Sequence, residues 1–143
     1  MTLKFREEAG QTSVFIIGAT VVILLFALTI AAIMSVTLQH RKLLSLADSS
    51  AQSAATSFTL EDPEELSLTI TPETARHQVI EHLEAVDAAQ RFPNLRIESV
   101  RVVGDTTVTV RLSATAHPPI VNWVVPSGVQ VVADSTARTQ LAQ

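Results

Sequence analysis

Four histidines, His40, His77, His82 and His117, and fourteen carboxylates are the groups that could hold a metal or move a proton. His77 and His82 stand five apart, off the shared face that a helical metal pair at four-residue spacing uses. His77 and Glu81 do share a face, but one imidazole and one carboxylate on a solvated helix are ordinary surface. Ser49, its neighbour Asp48 and a distant histidine could supply the parts of a nucleophilic triad, yet no serine sits in a GxSxG elbow. Glu61-Asp62-Pro63-Glu64-Glu65 crowds four carboxylates into five positions. The run lacks the ligand spacing and the glycine of an EF-hand calcium loop and reads as a solvated linker. Gly10, Gly18, Gly104 and Gly128 are scattered and form no phosphate-binding loop. There is no cysteine, hence no thiol nucleophile and no disulfide framework. The expectation is a non-enzymatic protein with no catalytic residue, metal or cofactor.

The elements that would carry such groups are organised around Val14–Leu38, 25 residues without a charge. As a helix this stretch spans about 37 Å at 1.5 Å per residue. A bilayer's hydrocarbon core is about 30 Å thick. The core helix of a soluble domain keeps a polar face, and this stretch has none over seven turns. It is also longer than the apolar region of a signal peptide and is followed by Gln39-His40-Arg41-Lys42 rather than a small-residue cleavage site. The reading is a retained transmembrane anchor, in contact with membrane lipid. Its ionisable-free interior excludes a proton relay. Lys4 and Arg6 before the span balance Arg41 and Lys42 after it, so charge does not orient it.

After Lys42 no glycine or proline interrupts LLSLADSSAQSAATSF. The anchor helix is expected to continue outside the membrane to Phe58, with 1–13 as a short N-terminal segment and 39–58 as the extension. Ala27, Ala31 and Ser35 form a small-residue row inside the span, and Ala47, Ala51, Ala54 and Ala55 form another beyond it. Small residues let helices approach closely, which suggests lateral packing on other helices. Alanine's helix propensity alone accounts for them equally well.

Residues 59–65 are read as the acidic linker and 66–140 as a small domain. Residues 43–143 hold six arginines against twelve acids, a net charge of about −6 that disfavours nucleic acid. Leu66, Leu68 and Ile70 alternate with polar residues as in a half-buried strand. Thr71 is placed to cap a helix that opens on Pro72, carries a stripe of Ala75, Val79, Leu83 and Val86, and runs to about Gln90. Leu95 and Ile97 start a second strand whose apolar parity switches at Val100, predicting a bulge near Glu98-Ser99. Gly104-Asp105 turns the chain into a third strand with Val108, Val110, Leu112, Ala114 and Ala116 on one face. Val129–Arg138 is a fourth. One helix covering one face of a four-strand, mainly antiparallel sheet makes an α+β, two-layer domain. Between the last two strands, HPPIVNWVVPSG is too proline-rich for a central strand. Ile120, Trp123 and Val124 make it unusually apolar, either as a cap on the core, the favoured reading, or as a partner or membrane surface.

The stretch REEAGQTSVF, the apolar span and LQHRKLLSLADSSAQSAATSF together resemble actinobacterial TadE/TadG-like proteins of the Tad (Flp) pilus apparatus. Gly10, Thr12-Ser13, Arg41, Asp48 and Ala51 through Ala55 carry the resemblance, which covers about residues 4–58. It implies a membrane-anchored minor pseudopilin or assembly factor of a Tad/Flp pilus or related secretion apparatus. The N-terminus would be cytoplasmic and the α+β domain extracytoplasmic. Partners would be other pilus or secretion-system subunits, with homo- or hetero-oligomers formed through the long helix. Gly10 would be the processing glycine. The family's processed members carry a glutamate five residues after that glycine, where this chain has Phe15, so the uncleaved, TadG-like side fits better. The alternative function is a single-pass anchored extracytoplasmic binding module of another envelope complex.

Overall fold

The computed structural model describes residues 5–56, 70–104, 106–118 and 126–139. Helix α1, Phe5–Thr56, is unbroken over 52 residues, about 78 Å. No proline or internal break interrupts it, and Thr20, Thr29 and Thr37 each donate their hydroxyl to the carbonyl four residues back. These three hydroxyls inside the apolar stretch are thereby satisfied within the helix. By length and composition α1 is able to cross a membrane.

Helix α2, Pro72–Ala85, begins as expected: Thr71 is extended and its hydroxyl accepts from the Thr74 amide, with Pro72 in the first turn. It does not run on to Gln90. Asp87 takes a left-handed conformation at φ 50°, which breaks the helix after Ala85 and leaves α3, Ala88–Arg91, as a separate turn. Ala75, Val79 and Leu83 are buried and Val86 is half-buried, so the anticipated stripe does face the core.

The strands are β1, Arg96–Val103; β2, Thr107–Ala116; and β3, Val129–Arg138, in the antiparallel order β1-β2-β3. The β1–β2 register shifts between Ile97 and Ser99, the bulge that the parity switch requires. Before the shift Ile97 pairs with Leu112; after it Val100 and Val102 pair with Val110 and Val108. All five apolar residues of β2 are buried. Among the described residues the sheet has three strands, not four; the expected strand at 66–70 lies outside them except for Ile70, which is buried.

The larger correction concerns the layer that covers the sheet. It is not α2 alone. The C-terminal part of α1 lies across β2 and β3, and α2 lies beside α1 toward β1. Leu43, Leu46, Ala47, Ala51, Ala54 and Ala55 join Val108, Val110, Leu112, Ala114, Val131 and Ala133 in one core. The C-terminal part of α1 therefore belongs to the domain, while the expected acidic linker at 59–65 lies outside the described residues.

Candidate functional site

The chain's own residues single out α1 and the seam it makes with the sheet. Three polar ties hold α1 to β3 and to Thr139 just beyond it. His40 Nε2 donates to the Val132 carbonyl at 3.0 Å. The Ser135 hydroxyl donates to Asp48 Oδ1. The Thr139 hydroxyl donates to the Ala55 carbonyl at 3.0 Å, satisfying a backbone acceptor in the last turn. From 40 to 55 the helix rises about 22 Å at 1.5 Å per residue. From 132 to 139 the strand rises about 23 Å at 3.3 Å per residue. The matched rises mean that α1 and β3 run side by side in the same direction.

Between those ties the contact is made by small side chains. Ala47, Ala51 and Ala54 are 0 % exposed and Ala55 1 %, with Ser50 buried among them and bonded to the Leu46 carbonyl. Larger side chains here would push helix and sheet apart. The outer row expected to serve lateral helix packing is therefore covered by the chain's own sheet and α2. The inner row differs: Ala27 and Ala31 are exposed and Ser35 half-buried. Gly10 lies within α1. Ile120, Trp123 and Val124 lie outside the described residues.

Of the groups with chemical potential, Ser49 and His82 are brought together, Nε2 to Oγ at 3.1 Å across α1 and α2. Asp48 is turned away from this pair toward Ser135 on β3, so the three do not form a relay. Among the described residues no group of three or more His, Asp or Glu side chains could hold a metal ion. Every buried side-chain nitrogen or oxygen among them has a partner. On the sheet's outer face Arg111 grips Asp134 through Nε and Nη2. Those hydrogen bonds, joined by the guanidinium charge, hold the Asp134 carboxyl below the usual carboxylate range, and together with the carboxylate charge they raise Arg111 further. Both side chains remain 52 % exposed, where an ion pair contributes little. A groove of about 470 Å³ runs between α1 and the edge of β3, lined by Asp48, Gln52, Thr56, Thr136 and Arg138 among others.

Of the seam residues, His40 and Thr139 belong to no motif, and Asp48 stands out only within the TadE/TadG-like resemblance, with no sign of its partner. Their partners lie 92, 87 and 84 positions away. The available signal was the placement of His40, Asp48 and Ala55 about two helical turns apart.

Residues 10–57 match the family model of Flp pilus-assembly TadE/G-like proteins (Tad). No curated protein and no solved structure matches the chain. The TadE/TadG-like likeness read from Gly10, Arg41, Asp48 and Ala51–Ala55 thus holds for the N-terminal third. The matched stretch takes in α1 from Gly10 to its end and none of the sheet.

Proposed function

We propose that this chain is a membrane-anchored component of a Tad/Flp-type pilus or related secretion apparatus, acting in assembly through non-covalent contacts and without catalysis or cofactor. One observation carries the reading: the pilus-assembly match coincides with α1, the element long and apolar enough to cross a membrane. In this reading residues 14–38 cross the cytoplasmic membrane, the N-terminus is cytoplasmic, and the sheet domain is extracytoplasmic. Contacts with other subunits fall to the outward faces of the span, including Ala27 and Ala31, and to the exterior of the domain. Phe15 supports a chain that keeps its N-terminus and assists a fibre rather than forming its repeat.

Deleting the gene in its host and counting surface Flp filaments by electron microscopy tests the role. Filaments should be lost and return when the intact chain is restored; an unchanged count overturns the assembly reading. Mass spectrometry of the membrane-extracted protein tests processing. Cleavage after Gly10, leaving Gln11 first, overturns the uncleaved form.

A further inference from the structure

The seam fixes how far the domain stands from the apolar span, and the distance is nil. Arg96, Ser113 and Val132 form one row across the sheet. The His40 bond to the Val132 carbonyl sets that row level with His40. Thr115 pairs with Gln130, and its amide donates to the Pro93 carbonyl. Pro93, Thr115 and Gln130 therefore lie a further two strand residues, about 7 Å, toward the span. On α1 that is the level of about Ser35 and Val36, inside the apolar run.

Side-chain exposure along α1 gives the same level independently. Every residue from Thr12 to Ala31 is exposed, whereas Ala32, Ser35, Val36 and Gln39 are half-buried in line with buried Leu43. Val36 packs on the core cluster itself. The length of the run agrees as well. Its roughly 37 Å exceeds a 30 Å hydrocarbon core by about 7 Å, which reaches into the headgroup layer.

We infer that the domain has no stalk and is seated in the bilayer surface. The sheet end carrying Ser127, Val129 and Gln130 contacts phospholipid headgroups. The described residues there suit an interface: Val129 and Val132 are 37 % and 41 % exposed, and Arg41, Lys42 and Arg96 are exposed within one turn or one row. Cations and amphipathic side chains at this depth are favoured by anionic headgroups. The opposite end, marked by Val103 and Gly104, points away from the membrane. This inference rests on the anchor reading of α1.

The chain has no cysteine, so single cysteines take one environment-sensitive fluorophore each. Full-length Leu28→Cys, Gln130→Cys, Ser127→Cys and Val103→Cys proteins are reconstituted in two sets of phosphatidylcholine–phosphatidylglycerol vesicles, with acyl chains brominated near the headgroup to probe Gln130, Ser127 and Val103 and near the methyl end to probe Leu28. Labels at Leu28, Gln130 and Ser127 should lose emission to bromine while the Val103 label keeps it. Quenching at Leu28 with none at Gln130 or Ser127 overturns the seating and leaves the anchor intact. No quenching at Leu28 overturns the anchor and the seating together.

Discussion

At Gly128 the backbone has φ 71°, and a Cβ there would come within 2.5 Å of Thr115 Cγ2 and 2.8 Å of the Ala116 carbonyl. Gly104, at φ 60°, has open space around the same position. Gly104→Ala should therefore cost only the left-handed strain, about 1–2 kcal/mol. Gly128→Ala adds overpacking at the start of β3, about 1–3 kcal/mol more. The comparison of their urea midpoints separates strain from collision. Ala51 has no exposed surface, so Ala51→Leu should destabilise the folded domain by about 1–3 kcal/mol, read as a lower melting temperature in detergent. An assembly defect in that variant would report a damaged domain, not a lost helix partner. For Asp134, whose carboxyl is depressed in the folded chain, the stabilising contribution is present above its unfolded value and fades as pH falls through the folded one. Asp134→Asn should shift the urea midpoint slightly downward at neutral pH. The difference should vanish well below the carboxylate range.

Among the elements, α1 has two chemistries along one unbroken axis. Up to Ala31 all its described side chains face outward, and from Leu43 onward a stripe of leucine and alanine faces the sheet. A sheet with one apolar face needs a covering layer, and α2 alone is too short to cover β2 and β3. The domain therefore cannot be cut from the rod. A soluble fragment starting at Gln39 should show a cooperative thermal transition by circular dichroism. One starting at Ile70, which loses the Leu43–Ala55 layer, should not. The strands and the bulge were legible because alternation and its parity are local properties of the backbone. The early end of α2 was not legible, since the left-handed turn at Asp87 leaves no periodic mark. Nor was the use of the outer alanines. A buried alanine stripe looks the same whether a sheet of the same chain or a helix of another covers it.

For the whole molecule, the proposed lateral contacts narrow to the span, because the outer half of α1 is occupied by its own domain. A photo-crosslinker at Ala27 should trap other membrane subunits in cells, whereas one at Ala51 should yield only intramolecular products. Equal intermolecular yields from both sites would sink this division of the helix. By itself the sequence determined the long apolar helix, its continuation past Lys42, the cap at Thr71, the hairpin with its bulge, and the TadE/TadG-like likeness of the N-terminal third. All of these are written in composition or in spacings of a few residues. Only the tertiary structure decided that the alanine row closes the domain, that Asp48 serves Ser135 rather than Ser49, and that the packed core reaches along α1 as far as Val36, inside its apolar run. Those facts depend on pairs more than eighty positions apart, which no local pattern in the chain encodes.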